Sequence, residues 1–345
     1  MSRRPPLTGE DRLIDWLRRR LDAPLIGDDA AVLPPGGPFA VTVDHQIAGV
    51  HFSPGLDPAL LARRLLAVNV SDLAAMGASP AYAFLALAAP AGFDHKRFFT
   101  ALLAACRTYG SRLAGGDLAK SPHGVTAALT LLGTKDENGR WLRRDGASPG
   151  HDLWLGGSAG ESAAGRMLIE RGARLAGRRV ELPPFLEAFS SLRPAASRAV
   201  RRHLQPRPQL ELGRWLSHRS EGAAMDVSDG VARDLHRLCR ASGVGAEIGA
   251  SDLPLPQRFT FLCETIGADP LTLALEGGED YVLLFTLPAG LTPPPEFTCR
   301  RIGTITKRRG VALLLSDGES NGERRELPDL GWDHLTNESS ASSGK

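Results

Sequence analysis

Acidic residues in this chain recur in turns that border apolar segments, and this repetition constrains both the fold and the chemistry. The first example is residues 26–33 (IGDDAAVL), where Asp28 and Asp29 follow a glycine and run directly into an apolar segment. Adjacent carboxylates repel each other, so such a pair either stays solvated or meets a cation. Taken alone, the stretch is most simply interpreted as a polar turn before a strand.

Helical and strand patterns alternate through both halves of the chain. Residues 7–21, 58–76 and 94–109 carry apolar side chains at helical spacing, whereas 39–44 and 124–133 are rich in β-branched residues. Such alternation is typical of α/β (α+β) proteins with mixed sheets.

The length of the chain, 345 residues, exceeds what one ordinary hydrophobic core organises, so we expect two domains. A Pro-Gly turn near residue 148 predicts an N-terminal domain over 1–147 and a C-terminal α/β domain over 148–336. The serine-rich residues 337–345 predict a disordered tail. Residues 68–72 (VNVSD) resemble 225–229 (MDVSD), a match as consistent with chance as with shared ancestry of the two domains.

Composition excludes several classes of protein. The net charge of +2 indicates no general attraction to nucleic acid or to a membrane surface. The chain has no apolar run long enough to span a bilayer, and its first residues do not have the pattern of a secretory signal. The cysteines are far apart and form no CxxC pair, which predicts buried, reduced thiols of a cytoplasmic protein and neither a zinc site nor a disulfide framework: Cys106, Cys239, Cys263 and Cys299.

The acids in turns have mainly glycine, hydroxyl or apolar neighbours, and few lysines or arginines lie beside them. Hard cations such as Mg²⁺ prefer oxygen ligands and are commonly held by one or two carboxylates together with phosphate oxygens. Each acid taken singly fits a cap or a turn, but together they predict a polyphosphate site neutralised by metal. These acids are Asp28, Asp29, Asp44, Asp72, Asp117, Asp226, Asp229, Glu279 and Asp280.

Other phosphate-binding and catalytic patterns are missing from the sequence. Residues 115–121 (GGDLAKS) have the wrong spacing for a P-loop, and residues 156–160 (GGSAG) do not match the dinucleotide-binding pattern. The chain has no nucleophile elbow and no protein-kinase loop set. His51 follows the acidic strand end at Asp44, and both a packed histidine and a site residue fit this position.

Seven motifs in order resemble one family, that of thiamine-monophosphate kinase, within the ATP-binding superfamily of aminoimidazole ribonucleotide synthetase. The resemblance spans residues 25–335 and rests on IGDDAAVL, VTVDHQIAGVHF, AVNVSDLAAMGASP, AGGDLAKSP, MDVSDGVARDL, EGGEDYVLLF and GWDHL. It implies two α/β domains, with the N-terminal sheets of two subunits closing a β-barrel in a homodimer. It also implies transfer of the ATP γ-phosphoryl group to thiamine monophosphate in the cytoplasm, the last step of thiamine diphosphate biosynthesis, with several Mg²⁺ ions.

The resemblance also implies roles for individual residues. It implies metal ligands at Asp29, Thr42, Val43 (through its carbonyl oxygen), Asp44, Asp72, Asp117, Asp226 and Asp229. It implies contacts to ATP from Gly116, Asp117, Arg144 and Ser228. It implies contacts to thiamine monophosphate from His51, Glu279 and Trp332, although Trp332 also fits a packed core residue. No dedicated catalytic base is expected, because the attacking phosphate oxygen is already largely ionised at neutral pH.

Some positions depart from the family pattern. The departures are Leu118-Ala119, Arg64, Gln209 and His45, and they put phosphate affinity and rate in doubt more than reaction type. Two alternatives stay open: another ATP-using member of the same superfamily, or a thiamine-phosphate or nucleotide-binding protein without turnover.

Overall fold

The computed structural model describes residues 31–33 (backbone only), 37–219, 221–315 and 323–333. These residues form two compact units. The first unit contains the described residues up to Leu142 together with Leu204–Arg219. The second contains Arg143–His203 and the described residues from 221 onwards. The predicted helix over 7–21, the acidic pair Asp28–Asp29 and the predicted tail lie outside the described residues.

Strands and helices alternate along much of the described chain, as the sequence predicts. The strands are β1 Ala31–Leu33, β2 Phe39–Ile47, β3 Ser79–Ala89, β4 Arg112–Lys120, β5 Thr126–Thr134, β6 Asp152–Gly156, β7 Arg174–Ala176, β8 Arg179–Glu181, β9 Ala224–Asp226, β10 Gly245–Gly249, β11 Leu283–Leu287, β12 Cys299–Thr306, β13 Gly310–Leu315 and β14 Glu323–Glu326. The helices are α1 Pro58–Ala75, α2 His95–Tyr109, α3 Glu161–Glu170, α4 Arg193–Leu204, α5 Leu210–Ser217, α6 Val231–Ser242, α7 Phe259–Thr265 and α8 Pro270–Glu276. Short 3₁₀ helices lie at Pro184–Ala188, Ser190–Leu192, Ala250–Asp252 and Pro295–Phe297.

The first unit is a five-stranded sheet in the order β1-β2-β5-β3-β4, with only the β3–β4 pair parallel. Side chains alternate between the two faces of a strand. In β3, Leu85 and Leu87 are buried, whereas Tyr82 and Phe84 are exposed. Helix α1 is buried along most of its length and packs against β2, β3 and β5. Among the described residues, one face of the sheet is therefore covered by helix and the other is open.

The second unit is a seven-stranded mixed sheet in the order β14-β13-β10-β12-β6-β11-β9. Only β10 and β13 run parallel to each other. Its core consists of apolar side chains from the central strands and from helix α6, including Leu235 and Leu238. Strand β9 ends at Asp226 and α6 begins at Val231, so the connecting loop lies at the edge of the sheet.

The mixed α+β fold with two mixed sheets confirms the predicted fold class. The two units depart from the predicted boundary at residue 147 in two described segments: Leu204–Arg219 belongs to the first unit, and Arg143–Ala147 belongs to the second. The reason for the placement of Leu204–Arg219 is close packing of α5 on α1: a Cβ at Gly213 would lie 2.0 Å from the carbonyl oxygen of Ala74. None of the helices in the described residues is both long enough and apolar enough to cross a bilayer.

Candidate functional site

Three of the predicted metal-binding residues lie together in the first unit. Thr42 and Asp44 are alternate residues of β2, on the strand face that packs against α1. From the last turns of α1, the Asp72 carboxylate accepts a hydrogen bond from the Thr42 hydroxyl through Oδ2. Because this face of β2 also contains buried Ala40 and Gln46, the acids are held between strand and helix and not in a mobile turn.

Two further polar side chains of α1 lie close to this group. Arg64, one of the departures from the family pattern, is fully buried, and its Nε donates to Gln46 Oε1 at 2.9 Å. Gln46 is the next residue after Asp44 on the same strand face, so Arg64 adds a positive charge near the acids. Asn69 is also fully buried, and within the described part of the chain its Oδ1 has no hydrogen-bond partner. This oxygen lies one helical turn before Asp72.

Asp117 lies on β4, at the opposite edge of the described sheet from β2 and its acids. Strands β5 and β3 separate β2 from β4, which corresponds to about 14 Å between them. One cation cannot bridge Asp44 and Asp117 of the same chain over that distance. Gly116 approaches β3 so closely that a Cβ would lie 1.9 Å from the Leu85 carbonyl oxygen, and its φ is 152°. Only glycine fits there.

The remaining predicted residues of the first unit are Val43 and His51. Val43 faces away from the helices and its side chain is 55% exposed. His51 follows β2, and its Nδ1 accepts a hydrogen bond from the Ile47 amide at 3.2 Å. A nitrogen that accepts has no proton, so the imidazole carries its proton on Nε2.

In the second unit, the loop of residues 227–230 gathers the other predicted residues. The backbone N–H of Glu279 donates to Ser228 O at 2.6 Å, and that of Trp332 donates to Asp229 O at 3.0 Å. Segments distant in sequence therefore meet at one loop. Gly278 permits this approach, since a Cβ there would lie 2.7 Å from the Ser228 carbonyl oxygen. Asp226, directly before the loop, is buried.

Asp234 forms hydrogen bonds to the backbone of this loop. It was not predicted as a site residue. Its Oδ2 accepts hydrogen bonds from the Ser228 and Asp229 amides at 3.1 and 3.0 Å. Burial, reinforced by the charge of Asp229, raises the pKa of the Asp234 carboxyl to about 7, while Arg237 and Arg144 oppose the rise. The charge of Arg144, a predicted ATP contact, thus acts on this carboxyl. The sequence signal was an acid in the first turn of α6, six residues after Ser228.

The sequence predicted that few basic residues lie beside the acids, and this prediction is wrong for Asp229. Its carboxylate forms an ion pair with Arg237, which also lies 3.1 Å from Asp234 Oδ1. The three side chains are at most 15% exposed. Arg237 is one helical turn beyond Asp234, so the helix aligns it with both acids. Asp229 is thus already neutralised, and a metal there would have to displace Arg237 or share the carboxylate with it.

Asp280, beside Glu279, is also fully buried. Its carboxylate accepts hydrogen bonds from the Gly160 and Ser162 amides at 2.6 and 3.1 Å, at the start of α3. Burial raises the pKa of this carboxyl to about 6, against the opposing effects of Arg202 and the two amides. The free-energy cost of removing the charged carboxylate from water exceeds the stabilisation that Arg202 and the two amides provide.

The folded protein should therefore lose stability through Asp280 as the pH rises. Its folded pKa, about 6, lies above the ordinary 3.8, so its contribution is fully present below about pH 4 and is lost through about pH 6. Two pKa units correspond to about 3 kcal/mol. We expect Asp280→Asn to flatten the pH dependence of the free energy of unfolding over this range, measured by urea titration from pH 4 to 7. Parallel curves for both proteins would contradict the assignment.

The donor chemistry of these residues fits Mg²⁺ better than a softer metal. No group of three or more His, Cys, Asp or Glu side chains that could hold a metal occurs among the described residues. Small sets of oxygen donors are present, such as Thr42 with Asp72, one helical turn from the buried Asn69 Oδ1, which has no hydrogen-bond partner among the described residues. Mg²⁺ commonly takes one or two carboxylates and obtains its other oxygens from phosphates and water.

The chain is similar to known proteins over most of its length. Residues 27–134 match the family described as AIR synthase related protein, N-terminal domain. The chain is 32% identical over 331 residues to thiamine-monophosphate kinase of Aquifex aeolicus (strain VF5), covering 95% of this chain and 98% of the relative. It is 37% identical over 324 residues to that of Escherichia coli (strain K12), covering 89% and 92% respectively. A solved structure described as AaThiL complexed with AMPPCP and TMP matches with a TM-score of 0.76 and 31% identity, over 92% of this chain and 96% of that one. The chain therefore belongs to the thiamine-monophosphate kinase family.

Proposed function

We propose that this protein transfers the γ-phosphoryl group of ATP to thiamine monophosphate, producing thiamine diphosphate and ADP. The observation that carries the proposal is the match, over nearly the whole chain, to a structure described as holding AMPPCP and TMP. The loop of residues 227–230 supports it, because it gathers the proposed nucleotide contact Ser228 and the proposed substrate contacts Glu279 and Trp332.

The reaction requires positioning and neutralisation of charge more than proton transfer. A phosphate oxygen of thiamine monophosphate is the nucleophile, and it is already ionised at neutral pH. Catalysis then consists of holding the two phosphate groups in line and offsetting their repulsion. The described residues suit this chemistry, since the acids are fixed by neighbouring groups, as Asp72 is by Thr42.

We assign Mg²⁺ as the cation that offsets this repulsion when it is bound. Thr42, Asp44 and Asp72 would hold it in the first unit, with Asp29 and the carbonyl oxygen of Val43 as further predicted ligands. Asp226 and Asp229 would hold it in the second unit, and Asp117 at the β4 edge.

The substrate contacts have distinct chemical roles. Trp332 is 45% exposed, and its indole face offers the cationic thiazolium ring a cation–π contact. Glu279 supplies a carboxylate, which suits a positively charged substrate. His51, with its proton on Nε2, can donate a hydrogen bond to an acceptor of the substrate. Gly116, Arg144 and Ser228 are proposed to bind ATP.

The working form is proposed to be a homodimer that closes a β-barrel over the open face of the first-unit sheet. That face exposes Val43, Tyr82 and Phe84, at 55%, 43% and 40%. Strand β4 is exposed along most of its length and lies at the sheet edge. Exposed apolar faces and long edge strands are commonly covered by a partner. A cation shared by Asp44 and Asp117 would need Asp117 from a second copy, which also favours the dimer.

A cytoplasmic location completes the proposal. All four cysteines are free thiols, three of them buried, which is common in reducing compartments.

A direct assay tests the proposed reaction. Purified protein with ATP, Mg²⁺ and thiamine monophosphate should form thiamine diphosphate and ADP in equal amounts, resolved by chromatography. Omission of the acceptor controls for ATP hydrolysis, and thiamine in its place controls for acceptor class. Thiamine monophosphate that binds in calorimetry but is never phosphorylated would instead identify a binding protein.

A further inference from the structure

The segment that carries Glu279 has an unusual backbone. Gly278, Glu279 and Tyr281 all have positive φ, at 65°, 55° and 50°. Non-glycine residues rarely adopt this conformation, and such residues cluster at functional sites where the surroundings impose it. Hydrogen bonds to the carbonyl oxygens of Ser228 and Val227 fix the backbone from one side. They do not fix the Glu279 side chain.

A second set of contacts approaches the same segment from α3 and α4. Ser162 donates its amide to the Asp280 carboxylate at 3.1 Å, and its hydroxyl lies 3.2 Å from Nδ1 of His203. The same Nδ1 lies 3.4 Å from Glu279 Oε2. Because Glu279 and Asp280 are adjacent in the chain, these contacts form a closed ring of four residues. His203 of α4 therefore contacts the Glu279 carboxylate, whereas the hydrogen bond to Ser228 holds only the Glu279 backbone.

The chemistry of the ring assigns its protons. A carboxylate only accepts, so a hydrogen bond to Glu279 uses a proton on Nδ1 of His203, and the Ser162 hydroxyl oxygen then accepts from the same N–H. Charged groups around the ring include Glu161, which pairs with Arg198, and Arg202, whose charge acts on Asp280. The His203 side chain is 7% exposed, whereas that of Glu279 is 26% exposed. The imidazole is therefore inside the fold, and the carboxylate it contacts is accessible to a ligand.

We propose that His203 is a positioning residue for substrate binding, with Ser162 orienting its imidazole. Its Nδ1–H holds the Glu279 carboxylate in the orientation that meets thiamine monophosphate, and it touches no substrate itself. The proposal rests on the proposed function, in which Glu279 contacts the substrate. Loss of this contact would leave the carboxylate more rotamers, and ordering it on binding would weaken affinity for thiamine monophosphate more than affinity for ATP.

The test is a comparison of His203→Ala with His203→Asn. Alanine removes the donor, so the KM for thiamine monophosphate should rise about tenfold, the usual effect of losing a hydrogen bond to a charged group. The KM for ATP should stay within about twofold of the wild type. Asparagine can place its side-chain N–H where Nδ1–H was and should restore most of the affinity. Calorimetric binding of thiamine monophosphate alone should follow the same order.

His236→Ala is the matched control, because this histidine is in the same unit and is buried to the same extent, with the whole residue 5% exposed against 6% for His203. Its imidazole contacts the Leu327 carbonyl oxygen at 2.8 Å and lies outside the ring. The His236→Ala variant should have a lower Tm but an unchanged ratio of the KM for thiamine monophosphate to the KM for ATP. Ser162→Ala keeps the amide donated to Asp280 and removes only the hydroxyl, so it tests the ring if His203→Ala does not fold. It should raise the KM for thiamine monophosphate about threefold, the effect of one neutral hydrogen bond.

Equal increases in both KM values, or no rescue by asparagine, would overturn the positioning role and leave His203 a core residue. Failure of the proposed function has a different signature, since the wild-type protein would then form no thiamine diphosphate at all.

Discussion

Asp72→Asn is expected to lower kcat by about a hundredfold or more and to raise the Mg²⁺ concentration needed for half-maximal activity. Loss of a charge-stabilising group aimed at the reacting phosphates has effects of this size. The fold should survive, because asparagine can keep an oxygen toward the Thr42 hydroxyl, which now donates to Asp72 Oδ2. Steady-state kinetics over a Mg²⁺ titration measures the effect, and direct binding of Mn²⁺ gives a second readout independent of turnover.

Asp57→Asn is the matched control, since it makes the same change at the other end of α1. Asp57 is the N-cap of this helix, and asparagine caps a helix as well as aspartate does. The lost ion pair with Arg97 is partly exposed, at 34% and 55%, so its contribution is small. This variant should keep wild-type kinetics. An unchanged Mg²⁺ requirement in Asp72→Asn would remove Asp72 from the metal ligands.

Phe84→Glu is expected to convert a dimer into monomers. Phe84 is 40% exposed on the open face of the sheet, so the subunit should fold with either side chain. In the proposed interface the glutamate would be buried without a partner. A central aromatic residue contributes about 2 kcal/mol or more to an interface. A symmetric dimer contains two copies of Phe84 and loses this contribution at both, so the dissociation constant should rise about a thousandfold.

Light scattering at micromolar concentration measures the change, with the wild type at twice the 36.8 kDa chain mass and the variant at that mass. Phe261→Glu is the control, because Phe261 is 64% exposed in the other unit and lies on helix α7. It should remain a dimer with wild-type activity. If the two copies share one site, activity of Phe84→Glu should recover at protein concentrations that restore the dimer. A monomeric wild type would contradict the proposed barrel.

Local sequence patterns predicted much of the fold because short-range physics sets them. Apolar spacing over 58–76 predicted a helix, found as Pro58–Ala75, and the pattern over 94–109 was found as His95–Tyr109 with Asp94 as its N-cap. The β-branched stretch 124–133 was found as Thr126–Thr134. Helical spacing, capping acids and strand-forming side chains act over a few residues, so one sequence window contains the information.

The two VNVSD-like segments show that a local sequence pattern does not always predict the secondary structure. Residues 68–72 lie inside α1, whereas 225–229 end strand β9 and form the loop before α6. Two nearly identical sequence segments therefore adopt different structures. Residues 68–72 pack against a sheet as part of a helix, whereas residues 225–229 are followed by Gly230. The assignment of Leu204–Arg219 to the first unit has the same origin, since packing of Gly213 on Ala74 joins residues far apart in sequence.

The sequence by itself determined the fold class, the family and the acidic character of the site, because these depend on local patterns and on motifs in order. Only the tertiary structure revealed that Arg237 neutralises Asp229, that Asp234 holds the loop before α6, and that His203 contacts Glu279. The last pair is separated by 76 positions in the chain. Such contacts depend on which surfaces meet when the core is packed, and no window of sequence contains that information.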